Sequence, residues 1–225
     1  MNKHIIVFAP HPDDETLGCG GTIIKKIREG YDVIIVFITD GKYAFSKVLG
    51  INSNPTPDEL KQIRRIEALK ATRILGVPNK NLHFLDFEDG AVEKAKRACE
   101  KKILKILRRY SPEEVYFPSE KDYNIDHQVT SKIVSDSLRK LKLATKAYKY
   151  SITQKYSRIG PIKDKFLNLF KHNLIYSDIS PFLPQKRAAI EQYKSQITLI
   201  SSKQDKPILT NIKRFLKEKE VFYLY

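Results

Sequence analysis

Cysteine is scarce: the 225-residue chain has only Cys19 and Cys99. That excludes a disulfide framework and points to a reducing compartment, so a cytoplasmic location is expected. No apolar run approaches the ~20 residues that a membrane-spanning helix needs. The apolar stretch at residues 5–10 is too short for a secretory signal, and charged residues follow at once. Internal repeats and low-complexity linkers are absent too. With 11 Phe, 12 Tyr and many aliphatic residues, the chain can bury a sizeable core rather than stay disordered. One domain over residues 1–225 is expected.

Acidic residues are scarce in one region only. Residues 1–138 hold 22 Lys+Arg and 20 Asp+Glu, a net of +2. Residues 139–225 hold 19 and 6, a net of +13, as a basic part of the same domain. Such asymmetry suits an anionic partner: a phosphorylated substrate or peripheral contact with an anionic membrane. A solvated lysine-rich surface explains it equally well. No nucleic-acid motif accompanies the charge, so a nucleic-acid partner is not expected.

Continuous apolar runs at His4-Ile-Ile-Val-Phe-Ala9 and Val33-Ile-Ile-Val-Phe-Ile38 read as buried parallel strands. Shorter strands are read at 83–85 and 115–117. Helices are read at 16–28, 56–75, 91–109 and 126–141, with 42–56 and 119–125 as loops. This alternation predicts an α/β fold: three-layer, Rossmann-like, with a mostly parallel sheet and helices on both faces. Beyond 142 the pattern weakens. Strands are expected at 147–152, 174–178 and 221–225 and a helix at 184–201, while 163–170 is ambiguous.

The loop after the first strand, Ala9-Pro-His-Pro-Asp-Asp-Glu15, packs one imidazole and three carboxylates into five residues. Like charges this close repel unless a cation or a proton balances them. Capping of the next helix explains one or two of the carboxylates, but not the His-Pro before them. Gly18-Cys-Gly20-Gly21 lacks the third glycine of a dinucleotide loop, having Ile23 there, and suits close helix–sheet packing instead. Of the remaining histidines, His4 and His83 read as structural, and His172 has no acidic neighbours. His127 opens a helix at the same sheet end as His11. Together His11, Asp14 and His127 make a metal-ligand set with an open position, as in catalytic zinc sites. The same ligand types suit Fe2+ or Co2+.

His11-Pro-Asp-Asp-Glu15, with Asp126-His127 about 110 residues later, resembles the LmbE-like, or PIG-L, family of zinc-dependent deacetylases. Arg64-Arg-Ile-Glu67, Asp89-Gly90 and Tyr193-Lys-Ser-Gln196 resemble weaker family motifs, so the likeness covers about residues 4–200. It implies a Rossmann-like fold and removal of acetyl from an N-acetylglucosaminyl conjugate; the net +13 of residues 139–225 fits a phosphate-bearing one, lipid-linked, nucleotide-linked or a phosphorylated glycan. It implies that His11, Asp14 and His127 hold one Zn2+ and that Asp13 is the general base. Arg64 and Asp89 would contact the substrate, Glu15 would hold the loop, and Asp126 would stand behind a ligand. Members often carry a His three residues before the last ligand; here it is Asn124, which can donate to an oxyanion but delivers no proton near neutral pH. Two other readings stand: a zinc hydrolase of a different amide, and a non-catalytic module binding anionic glycan or lipid.

Overall fold

The computed structural model describes residues 3–152 and 174–225. The ambiguous stretch 163–170 and His172 lie outside the described residues. Seven strands form one sheet: β1 (His4–Ala9), β2 (Asp32–Thr39), β3 (Leu82–Phe87), β4 (Glu114–Pro118), β5 (Lys146–Tyr150), β6 (Leu174–Asp178) and β7 (Lys219–Leu224). Their order is β3-β2-β1-β4-β5-β7-β6. The first five are parallel, and β7 is antiparallel to both β5 and β6. The sheet therefore takes strands from both sides of the charge boundary near residue 139.

The pleat sorts the apolar runs into two cores. Ile5, Val7 and Ala9 of β1 face one side, against Ile23 of α1 (Asp14–Arg28), Ala71 and Leu75 of α3 (Pro57–Leu75) and Ala189 of α6 (Leu183–Ile190). Ile6 and Phe8 face the other side, against Ile103 and Leu107 of α4 (Lys96–Tyr110) and Ile133 and Val134 of α5 (Ile125–Leu141). Both faces are covered, as continuous apolar strands require, and the result is the three-layer α/β fold. His4 bonds the Tyr110 carbonyl at 3.0 Å and His83 the Tyr110 hydroxyl at 2.9 Å, both structural contacts. Cys19 and Cys99 are free and buried. A Cβ on Gly18 would come within 2.5 Å of the Tyr150 ring, and one on Gly21 within 2.5 Å of Ile179, so these glycines serve close packing of α1.

Three expectations need correction. The stretch 42–56 contains a short helix, α2 (Ala44–Leu49), which buries Phe45 and ends on Gly50 in the left-handed conformation. The helix expected from 91 begins at Lys96, because Ala91 to Ala95 form turns and the Val92 N–H turns to Asp126. The helix expected over 184–201 breaks into α6 and α7 (Lys194–Ile197). The break at Tyr193 frees its hydroxyl to reach Glu15 in the first turn of α1. No helix among the described residues is long and apolar enough to cross a membrane.

Candidate active site

Strand order reverses between β1 and β4, and the loops leaving their carboxyl ends meet there, where open α/β sheets bind ligands. The β1 loop supplies His11 and Asp14; the β4 loop and the start of α5 supply His127. Three atoms converge. His11 Nδ1 is 3.2 Å from Asp14 Oδ2, His127 Nε2 is 3.1 Å from the same oxygen, and the two ring nitrogens are 3.3 Å apart. All three residues are buried.

This triangle fits a metal ion better than it fits protons. A tetrahedral ion with bonds of ~2.0–2.1 Å separates its ligands by ~3.3–3.4 Å. Protons explain the contacts poorly, because two N–H groups cannot point at each other across 3.3 Å. Yet the surroundings favour positive charge. Burial works against it at His11, but hydrogen bonds to Asp126, Asp14 and Asp89 win and raise its pKa well above the usual value. At His127 burial is likewise outweighed, by the charge of Asp14 and the hydrogen bond to Asp122, which push it up to about 9. Burial acts to raise Asp14, but the His127 charge and the contacts with both rings hold it below the usual carboxylate range. One divalent cation answers all three atoms.

Each imidazole is oriented from behind. His11 Nε2 lies 3.3 Å from Asp126 Oδ2, which also accepts the Gly90 N–H at 2.6 Å. His127 Nδ1 lies 2.9 Å from Asp122 Oδ2, and Asp122 in turn accepts the Ile152 N–H at 3.1 Å and the Ser151 hydroxyl. A carboxylate behind a ligating His fixes its ring and raises its basicity. Asp126 was anticipated there; Asp122 was not. Its signal was its place five residues before His127, in a stretch where two aspartates flank the same turn.

Asp13 sits beside the triangle in an uncommon backbone conformation, φ 138° and ψ −28°. A non-glycine residue there costs about 1–3 kcal/mol and persists only where its surroundings hold it. Glu15 Oε2 accepts its N–H at 3.1 Å, and Arg64 Nη2 pairs with its Oδ2 at 3.3 Å. Asp13 Oδ1 has no partner among the described residues. Burial pushes the carboxyl up to about 7; Arg64 opposes this and Asp14 adds to it. Glu15 is fully buried and accepts hydrogen bonds from the Thr16 and Tyr193 hydroxyls as well as from the Asp13 N–H. Tyr193 stands in a motif that the sequence analysis names without a role, and its partner Glu15 lies 178 positions away.

Arg64 and Asp89, expected on the substrate, both have protein partners. Arg64 is 2% exposed and donates to the Pro12 carbonyl at 2.6 Å and the Gly41 carbonyl at 3.0 Å, clamping the β1 loop. Asp89 accepts the Tyr43 N–H at 3.0 Å and the Lys47 ammonium at 3.1 Å, and lies 3.6 Å from His11 Nε2. Asn124 is exposed and is the N-cap of α5: its Oδ1 accepts the Asp126 N–H at 2.8 Å. The cap thereby steadies both Asp126 and His127.

Several known proteins are similar to this chain. The diacetylchitobiose deacetylase of Thermococcus kodakarensis is 34% identical over 117 residues, 52% of this chain but only 40% of that protein. A probable N-acetyl-alpha-D-glucosaminyl L-malate deacetylase 2 of Bacillus anthracis is 23% identical over 235 aligned positions, 99% of this chain and 95% of the relative. The 4-oxalmesaconate hydratase of Pseudomonas putida is 29% identical over 136 residues, 60% of this chain and 51% of that protein. The fold is shared with the solved N,N'-diacetylchitobiose deacetylase of Pyrococcus horikoshii, at a TM-score of 0.73 and 24% identity, covering 99% of this chain and 84% of the other. Residues 6–138, which carry the whole triangle and both orienting aspartates, match the family described as PIG-L: GlcNAc-PI de-N-acetylase. The chain belongs to the PIG-L family.

Proposed function

We propose that this protein is a zinc-dependent hydrolase that removes acetyl from an N-acetylglucosaminyl-type conjugate. The observation that carries the reading is the ligand triangle with Asp13 beside it, its Oδ1 unpartnered among the described residues. The names of the two deacetylase relatives support the choice of substrate.

His11 Nδ1, Asp14 Oδ2 and His127 Nε2 would hold the ion. Zn2+ fits this donor set and would supply a Lewis acid that acidifies water and polarises the amide carbonyl. Asp13 takes the proton of the attacking water on its carboxylate and returns it to the leaving nitrogen. Its Oδ1, without a partner among the described residues, is the oxygen available for both transfers. Arg64 and Glu15 keep that carboxylate in place from its side chain and its backbone. Asn124 has its Oδ1 engaged in the α5 cap, so Nδ2 is the atom that donates to the oxyanion. With no acid where family members often have His, Asp13 serves both directions.

The test is metal content together with acetate release from N-acetylglucosaminyl conjugates, beside the Asp13→Asn variant. One equivalent of metal and Asp13-dependent release of acetate and free amine are expected. Metal binding without acetate release from any N-acetyl sugar would reject the reading in favour of another amide, or of the hydration chemistry named for the Pseudomonas relative.

A further inference from the structure

The glycine stretch Gly18-Cys-Gly20-Gly21 of α1 has a second use beside close packing. A Cβ on Gly20 would stand 3.2 Å from Lys186 Cγ, so the bare backbone leaves the Lys186 stem its path along the helix. Lys186 comes from α6 and Glu220 from β7, and both are buried, at 1% and 6% exposure. Ammonium and carboxylate meet at 2.7 Å.

Each partner also reaches the α1 backbone. Lys186 Nζ donates to the Leu17 carbonyl at 3.0 Å. Glu220 Oε1 accepts the Gly21 N–H at 2.9 Å, and Oε2 accepts the Thr22 N–H at 2.8 Å. In a regular helix the Leu17 carbonyl is the acceptor for the Gly21 N–H. The ion pair therefore spans that rung from the side, in the order Leu17 carbonyl, ammonium, carboxylate, Gly21 N–H. A side chain set into the ladder is an ordinary cause of bending, so it fixes the angle between the turns on either side.

The turn before this rung carries the reaction centre. Asp14 and Glu15 open α1, and the Leu17 N–H donates to the Asp13 carbonyl at 2.9 Å. Leu17 is thus tied to Asp13 by its N–H and to Lys186 by its carbonyl. Asp14 Oδ2 has to meet two imidazoles at once, at 3.2 and 3.1 Å, so a small tilt of this turn spoils the triangle. Asp13 likewise keeps its uncommon φ of 138° only while its surroundings hold it. Stability is a weak account of the pair, because burying two charges costs desolvation that their attraction barely repays. Its place on the rung is the stronger account.

We propose that the Lys186–Glu220 pair is a positioning device for the metal-binding loop. It sets the first turn of α1 so that Asp14 meets both imidazoles and Asp13 stays beside them. The proposal rests on the metal triangle; which amide is cleaved does not enter it.

The test compares the full-length chain with Lys186→Met and with Lys186→Met/Glu220→Gln, which leaves no unpaired buried charge. Denaturant midpoints are read first, then zinc affinity by competition with a chelator, then kcat and KM from acetate release. Both variants should bind zinc at least about tenfold more weakly than the native chain. In the zinc-saturated double variant kcat should fall several-fold with KM little changed. A double variant with native zinc affinity and native kcat, whatever its midpoint, would make the pair a packing element and overturn the proposal. If neither variant folds, the native chain decides. Coupling between the ion and the pair is reciprocal, so adding zinc to the metal-free chain should slow amide exchange at Gly21 and Thr22 at least about tenfold. Unchanged exchange there would overturn the proposal. Zinc binding without acetate release would reject the deacetylase reading and leave affinity and exchange to judge the pair.

Discussion

The loops after β1 and β4 and the segment leading into β7 share one end of the sheet, yet they use charge in opposite ways. In the first region the charged groups are buried and answer one another: His11 with Asp126, His127 with Asp122, Asp13 with Arg64. In the second, Arg214, Lys217 and Lys219 stay exposed, and Lys219 stands opposite Asp178 in the β6–β7 pair. Buried charge demands partners with defined geometry, so it can build a reaction centre. Exposed charge demands little and leaves its ligand to be chosen by field and shape. The regions are not independent, because the C-terminal part also sends two buried contacts into the first. Tyr193 bonds Glu15, and Ser195 bonds Glu67 on α3, one turn from Arg64.

This contrast predicts that losing one charge costs far more in the first region than in the second. The largest effect falls on Asp13→Asn, which keeps the shape but cannot take a proton. Turnover should drop by about 10²–10⁴-fold while bound metal stays at one equivalent. If the variant keeps its turnover, the proton has another acceptor and the assignment fails. Next comes Asp126→Asn or Asp122→Asn, read in a competition titration with a zinc chelator. Each should weaken metal affinity about 10–100-fold by loosening one imidazole. If Asp122→Asn leaves the affinity unchanged, the 2.9 Å contact with His127 does not orient the ligand.

A smaller effect is expected where the C-terminal part reaches into the site. Tyr193→Phe removes one donor from buried Glu15 and should cost about 1 kcal/mol of stability, read as a lower midpoint in urea. Because Glu15 carries the Asp13 N–H, kcat should fall several-fold with little change in KM. Loss of stability alone, with kcat intact, would make Tyr193 a packing residue.

Legibility followed the range of the contact. His11, Asp13 and Asp14 were readable because five residues of dense charge have no ordinary structural explanation. The alternating buried strands and their helices were readable because period and punctuation are local. Asp122 stood in a quoted stretch but competed with Asp126; only the tertiary turn decides which carboxylate backs which ring. Arg64 was noticed for its motif and expected on the substrate, because the carbonyls of Pro12 and Gly41 that it clamps are 52 and 23 residues away. The local pattern predicts one long helix through Tyr193, and the break that frees it answers to a partner 178 residues back. The charge boundary was visible as a count, but its position at the reacting edge came from the antiparallel return of β7.

The smallest predicted effect concerns how the two regions are tied. Burial raises the pKa of Glu67 above its usual value, against the hydrogen bonds from Ser195 and the charge of Arg64. A carboxyl raised in the folded state binds its proton more tightly there than in the unfolded chain. Stability therefore declines as pH rises from the usual glutamate range through the raised value, and stays lower above it. Glu67→Gln removes that titration while keeping an acceptor for Ser195. The denaturant midpoint of the variant should then vary less with pH across this window than that of the native chain. Unchanged steepness would mean that Glu67 titrates normally and that the tie between α3 and α7 is carried by its hydrogen bonds alone.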